Sequence, residues 1–306
     1  MKKILISMLA VAALVSCSKE ESIRVDQGEA IAFGNAFVDN STRATDPSYS
    51  ANDIESFNVY GTVNGVVIYP GTQITRDRAA YGAAWTCPVD QYWIAGANYK
   101  FVGIVDGNKS GVTATTVENG MPTSISYTAD GETDLLCQTI TKTANTDGTA
   151  NGLVAFTFQH LLSKVNFTVN NGSKDASGYS FVVKNIAFNG ATAATYDVET
   201  KTWGTATATG ATALDAITVA SGAENAELAT EVLFLPGTYT ISFTVDILYN
   251  DTVVTSTNYP TTGTYSHTLA ANNAYNFTIA LSVGELIQFT VTNDPTWTDG
   301  GDINVQ

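Results

Sequence analysis

Histidine and cysteine are scarce in this chain of 306 residues, which has only His160, His267, Cys17, Cys87 and Cys137. Zinc and copper sites need several such ligands at short spacing. Nucleophilic catalysis needs a base held beside a serine or cysteine. The acidic residues cluster in turn-like stretches, which is typical of a solvated surface rather than of the paired carboxylates of a glycosidase. We therefore expect no metal site, no cofactor and no enzymatic activity.

Basic side chains are also few. The chain has 14 Lys and Arg against 29 Asp and Glu, which gives a formal net charge of −15. A surface of this sign repels nucleic acid and anionic lipid, so we expect no nucleic-acid partner. After the first 16 residues, no apolar run reaches the roughly 18 residues of a membrane-spanning helix.

The N-terminus has the pattern of a lipoprotein signal peptide. Lys2 and Lys3 precede an apolar stretch from Ile4 to Val15 that is too short to span a bilayer permanently. It ends in Leu14-Val15-Ser16-Cys17, which resembles the site that lipoprotein signal peptidase recognises. We predict removal of residues 1–16 and lipid on Cys17. The alternative is an ordinary secretory signal with an incidental cysteine.

Residues 17–28 are predicted to form an exposed acidic tether. Ser18-Lys19-Glu20-Glu21 looks like the short tag that directs some lipoproteins to the outer cell surface. Removing residues 1–16 takes away two lysines, so 12 basic and 29 acidic side chains remain, a net charge of −17. In an exported chain, Cys87 and Cys137 are compatible either with one disulfide or with two separate buried thiols.

Strand-forming residues dominate the rest of the chain. Thr, Val, Tyr, Phe and Ile are abundant, and turn residues interrupt them every eight to twelve positions or so, which favours an all-β sandwich without helices. The 290 residues left after removal of 16 from 306 exceed the usual size of one domain. We predict two antiparallel β-sandwich domains in tandem, residues 29–159 and residues 160–306.

The first predicted strand runs from Glu29 to Asp39 and has Ile31, Phe33 and Phe37 at alternate positions, which buries one face. The polar stretch from Asn40 to Asn52 is predicted to be an exposed loop.

Further along the chain, three local features shape the predicted fold. Asn64-Gly65 predicts a type I′ hairpin turn. Separate strands are predicted at Tyr179–Phe188 and Ala194–Val198, and a long strand-like run from Leu153 to Asn171 is predicted to kink at residues 160–163. The domain boundary is placed at this kink.

Aromatic residues Trp85, Tyr92 and Trp93 lie close together in sequence. They fit either an exposed platform for stacking sugars or ordinary core packing. His160, flanked by apolar strand positions, is predicted to be a structural hydrogen-bonding residue.

The segment from Phe158 to Phe167 has the pattern F-x-H-x-L-S-K-V-x-F, which resembles the central motif of the fimbrillin family of type V pilus subunits. The resemblance covers roughly residue 29 to the end. Supporting pieces in the same order are Ile31-Ala32-Phe33, Thr42-Arg43-Ala44, Phe57-Asn58-Val59-Tyr60-Gly61, Tyr92-Trp93, Tyr99-Lys100-Phe101, Ile287-Gln288-Phe289 and Trp297.

This resemblance implies two transthyretin-like domains, a lipoprotein precursor at the outer membrane and cell surface, and polymerisation into a fimbrium after a protease cuts past an N-terminal arginine. Arg43 is the matching residue, and Arg24 is the alternative site. A cut at Arg43 would release the first strand together with the lipid. Other fimbrial subunits, the same or related, are then the implied partners, through addition of a donor strand.

The donor strand is expected in the C-terminal stretch from Glu285 to Gln306; the alternative is that Glu285–Thr292 completes its own domain. A second functional hypothesis is a surface lipoprotein that binds glycans, with a host or glycan ligand. The donor-strand candidates are Leu286, Ile287, Phe289, Val291, Ile303 and Val305.

Overall fold

The computed structural model describes residues 28–38, 54, 56–76, 85–105, 111–285 and 287–294. Regular structure in these residues is exclusively β, which confirms the predicted all-β class. Within the same residues, no helix is long and apolar enough to cross a membrane. The strands are β1 Phe33–Val38, β2 Ser56–Val63, β3 Val66–Thr75, β4 Asn98–Val105, β5 Val112–Glu118, β6 Met121–Thr128, β7 Leu136–Thr143, β8 Val154–His160, β9 Ser163–Asn171, β10 Tyr179–Asp197, β11 Thr202–Trp203, β12 Ala208–Leu214, β13 Ile217–Val219, β14 Asn225–Glu227, β15 Val232–Phe234, β16 Gly237–Tyr249, β17 Thr252–Tyr259, β18 Tyr265–Leu269, β19 Asn273–Leu281 and β20 Gln288–Asp294.

The first sheet contains the predicted first strand at its edge. Its strand order is β1-β8-β7-β4-β2-β3. β1 runs parallel to β8, with Phe33 opposite Val154 and Gly34 opposite Ala155. The hairpin between β2 and β3 turns at Asn64 and Gly65, whose φ angles of 47° and 81° confirm the predicted turn.

The second sheet joins strands from both sides of the predicted boundary. β10 pairs with β16 along most of its length, and its last residues, Ala193–Asp197, pair with β6. The prediction of two separate strands, Tyr179–Phe188 and Ala194–Val198, is wrong, because β10 is one strand of 19 residues. Its middle stays in the sheet because Asn189 and Gly190 continue the ladder with β12.

The third sheet is formed by strands β14, β15, β9, β19 and β20. β9 and β19 run parallel over their whole length, and β20 lies antiparallel to β19 at the sheet edge. β14 and β15 pair with the other side of β9.

The described residues form three apolar cores against these sheets. The first lies on the inner face of the β1-containing sheet and includes Phe57, Phe101 and Phe156. The second is built around strands β9, β10, β16 and β19. The third contains Val102 and Tyr127 from before residue 160 and Tyr196 from after it. The two predicted domains therefore share both a sheet and a core.

The predicted kink is confirmed. β8 ends at His160, β9 begins at Ser163, and Leu161 and Leu162 between them are buried in the third core. The position of the domain boundary, and the division into two transthyretin-like domains, stay predictions.

Candidate functional site: the groove of the first strand

The N-terminal segment from residue 28 to residue 38 is held by main-chain hydrogen bonds on both sides. On one side, the Ile31 amide donates to the Gln91 carbonyl at 2.7 Å, and the Trp93 amide donates to the Glu29 carbonyl at 2.9 Å. On the other side, the Val154 amide donates to the Ala32 carbonyl at 2.8 Å. The segment therefore lies in a groove between β8 and residues 91–93, which we call the first-strand groove.

Ile31 and Phe33 anchor the segment in this groove. Ile31 is 5% exposed and Phe33 is 4% exposed, because alternate residues of an extended chain point to the same face. Removal of the segment would leave a gap with an aromatic wall in the first core. The rings around Phe33, with centroid distances, are Tyr69 at 5.5 Å, Phe57 at 6.2 Å, Phe101 at 6.2 Å and Phe156 at 6.4 Å.

A polar contact marks the start of the segment. One carboxylate oxygen of Glu29 accepts hydrogen bonds from the Asn151 amide at 2.6 Å and the Asn151 side chain at 2.9 Å. The other oxygen accepts from the Gly152 amide at 3.1 Å. These donors, led by the Asn151 amide, hold the pKa of Glu29 below its usual range. Sequence reasoning missed this contact, because Glu29 and Asn151 are 122 positions apart.

At Gly34, next to Phe33, there is no room for a side chain between β1 and Leu153. A Cβ atom at Gly34 would lie 2.3 Å from Cδ1 of Leu153, so glycine lets β1 approach β8 closely. Leu153 itself is 53% exposed at the rim of the groove.

Several predicted site residues lie outside the described residues: Cys17, Arg24, Arg43, Leu286, Ile303 and Val305. The other donor-strand candidates, Ile287, Phe289 and Val291, lie in or next to β20 and pack, partly buried, against the second core. In this monomer Phe289 is 5.0 Å from Tyr265 and 5.2 Å from Tyr259, measured between ring centroids. The donor role of these residues stays a prediction.

The three aromatic residues considered for sugar stacking do not form an exposed platform. Trp93 is 6% exposed and packs on Tyr99 with the ring centroids 4.6 Å apart. Trp85 packs on Phe57 at 5.0 Å, and the Arg76 guanidinium lies 5.0 Å from the centre of its ring. Core packing explains both tryptophans.

The cysteines Cys87 and Cys137 are free thiols, so the disulfide alternative is wrong. Burial raises the pKa of Cys137 to about 12, while Cys87 is half-buried and donates to the Val89 carbonyl at 3.1 Å. Among the described residues, no group of three or more His, Cys, Asp or Glu side chains is placed to hold a metal ion.

A sequence model of the fimbrillin-like family matches residues 42–295, most of the chain. The chain belongs to the fimbrillin-like family. The match begins next to Arg43, so β1 lies before it. A search of curated protein sequences finds no match.

Solved structures show the same fold as this fimbrillin-like chain. A fimbrial protein from Bacteroides vulgatus is similar, with a TM-score of 0.60 and 12% identity, over 89% of this chain and 100% of the other. A candidate cell adhesion protein from Bacteroides uniformis has a TM-score of 0.53 and 17% identity, over 90% of this chain and 99% of the other.

The central motif of this fimbrillin-like chain has a structural role at the corner between β8 and β9. Nδ1 of buried His160 lies 2.5 Å from the Asp134 carboxylate, which confirms its predicted role as a structural hydrogen-bonding residue. Ser163 donates to the Ala270 carbonyl at 2.8 Å, and Lys164 lies 3.2 Å from the Glu231 carboxylate. The motif therefore fixes the junction between the two parts of the chain, at the end of the β8 strand that lines the first-strand groove.

Proposed function

We propose that this fimbrillin-like chain is a structural or adhesive subunit of a bacterial fimbria on the cell surface. Family membership supports a fimbrial role. The observation that carries the proposal is the placement of the first strand, which fills the aromatic core of its sheet yet lies at the sheet edge. A strand in this position is separable by one cut in the segment that follows it.

In this proposal, lipid on Cys17 holds the precursor at the outer membrane. A protease then cuts after Arg43, between β1 and β2, and β1 leaves with the lipid. The groove that is left exposes unpaired main-chain groups of β8 and residues 91–93, together with the aromatic wall around Phe33. Such a surface favours pairing with another extended chain.

The partner strand comes from the C-terminal stretch of a second subunit, the same or related. An extended chain added to a sheet edge forms main-chain hydrogen bonds, and its alternate side chains fill the pockets below. Repetition of this contact between neighbours builds a linear polymer, because the contact is head-to-tail rather than symmetric.

The experiment is limited proteolysis of the purified protein from Ser18 onward with an arginine-specific protease. We expect a ladder of multimers on a denaturing gel run without boiling, and Ala44 as the new N-terminus. Arg43→Lys is the matched control and should stay monomeric, whereas Arg24→Lys should still assemble. A protein that loses its first strand and remains monomeric would refute the proposal.

A further inference from the structure

The first segment and the C-terminal segment of the chain share a five-residue pattern. Residues 29–33 are Glu-Ala-Ile-Ala-Phe and residues 285–289 are Glu-Leu-Ile-Gln-Phe, so both have the form E-x-I-x-F. In an extended chain, the three shared residues point to one face. The shared residues are those that contact the first-strand groove: Glu29, Ile31 and Phe33.

The same three residue types are less well accommodated in the C-terminal segment. Glu285 is exposed, and Ile287 and Phe289 are only partly buried at the edge of their sheet. In the groove, by contrast, Ile31 and Phe33 are almost fully buried, and the Glu29 carboxylate accepts three N–H hydrogen bonds. Each of the three positions offers more burial or more hydrogen bonds in the groove.

We propose that Glu285, Ile287 and Phe289 of one subunit take the positions of Glu29, Ile31 and Phe33 in the groove of the next subunit. This inference rests on the proposed function and adds the register of the donor strand. The Glu285 carboxylate then accepts hydrogen bonds from the amides of Asn151 and Gly152. This contact fixes the register of the donor strand in the groove.

Transfer of β20 to the groove of the next subunit is driven by burial of apolar side chains. A cut subunit that has not assembled has one empty strand position, which is the groove. A subunit inside the polymer has received a donor strand in its groove and has given its own β20 to a neighbour, so its one empty position is beside β19. The number of open edges therefore stays the same. Departure of β20 uncovers rings of the second core, such as Phe243 and Phe277, while its arrival covers the rings around Phe33 in the groove. The isoleucine and phenylalanine themselves are buried more deeply in the groove, and apolar burial therefore favours the exchange.

One position requires an adjustment. Thr290 follows Phe289 and takes the place of Gly34, where a Cβ atom would meet the side chain of Leu153. Leu153 is 53% exposed, so its Cγ and Cδ1 atoms can rotate towards solvent, while its Cβ atom, 3.2 Å from that position, must shift by a few tenths of an ångström. Leu153→Ala is accordingly expected to accelerate assembly of the cut protein by about threefold or more.

The register is tested by disulfide trapping in the protein from Ser18 onward with Cys87→Ser. Gly34 pairs with Ala155, so Thr290 of the donor should pair with Ala155 of the acceptor, within reach of a disulfide. Thr290→Cys combined with Ala155→Cys should form multimers after cleavage that resist boiling without reductant. Gln288→Cys with Ala155→Cys, two positions out of register, is the matched control and should link poorly.

The polar contact is tested by a second pair of variants. Multimers of Glu285→Gln should dissociate about threefold faster than wild type, because an exposed charge-assisted contact is weakened. Multimers of Glu29→Gln should dissociate at the wild-type rate, because Glu29 leaves with the first strand.

The outcomes separate this inference from the proposed function. Multimers that link through the control pair, or through Ile303→Cys combined with Ala155→Cys, would overturn the proposed register while the fimbrial function stands. Equal dissociation rates for Glu285→Gln and wild type would also overturn it. If the cut protein forms no multimers, the proposed function fails and this inference fails with it.

Discussion

At the scale of single residues, Phe33 of the first strand packs among four aromatic rings of the first core. Phe33→Ala should lower the free energy of unfolding of the uncut protein by about 3–5 kcal/mol, because it leaves a cavity among four aromatic rings. Urea unfolding measures this change. The control Val253→Ala, at a side chain that is 52% exposed, should stay within about 0.5 kcal/mol. Equal losses in the two variants would contradict the burial argument.

The Glu29 contact predicts a dependence on pH. The pKa of Glu29 is lowered in the folded protein by its N–H donors, so the contact is complete above the usual pKa of a glutamate. It is lost as the pH falls through the lowered value. Hydrogen-exchange protection factors of the Asn151 and Gly152 amides should therefore stay constant above the usual pKa of a glutamate and fall as the pH drops below it.

Glu29→Gln provides the comparison for this measurement. The amide variant has no titrating group at the contact, so its protection factors should show no step in the same pH range. A step of the same size in the variant would show that another group causes it.

Residue-scale predictions from sequence succeeded where the signal is local. His160 was correctly expected to form a structural hydrogen bond, because it is flanked by apolar strand positions. The partner Asp134 and the contacts of Glu29 were not foreseen. They join residues 26 and 122 positions apart, and nothing in the local pattern indicates such a pairing.

At the scale of elements, the hairpin between β2 and β3 depends on left-handed backbone at its turn. Gly65 has φ of 81°, so Gly65→Ala should cost about 1 kcal/mol of stability in urea unfolding. Gly210→Ala is the control, because a Cβ atom there meets only Thr192 Cγ2 at an ordinary 3.6 Å. A larger loss at Gly210 than at Gly65 would contradict this account of the turn.

The edge positions of β1 and β20 were not predictable from their patterns. Both segments show alternating apolar residues, which indicates a strand with one buried face. The pattern is the same whether the neighbouring strand is β8, with Phe33 opposite Val154, or β19, a few residues away in sequence. Edge position matters for function, because only an edge strand can leave without breaking the sheet in two.

At the scale of the whole molecule, the sheet and core shared across residue 160 couple the two parts of the chain. Tyr127 and Tyr196 both pack on Trp203, with ring centroids 6.2 Å and 5.4 Å away. We expect one cooperative thermal transition with equal calorimetric and van't Hoff enthalpies. Scanning calorimetry of the uncut protein measures this. Two separate transitions would show that the parts unfold independently.

The sequence by itself determined the all-β class, the hairpin turn, the corner after His160 and the resemblance that family membership confirmed. These follow from residue preferences, two-residue periodicity and turn chemistry, which act over a few positions. Only the tertiary structure decided that β1 fills an aromatic groove, that Glu29 binds a distant loop and that one sheet joins both parts. Those features arise from contacts between remote strands, whose partners are set by packing of the whole chain.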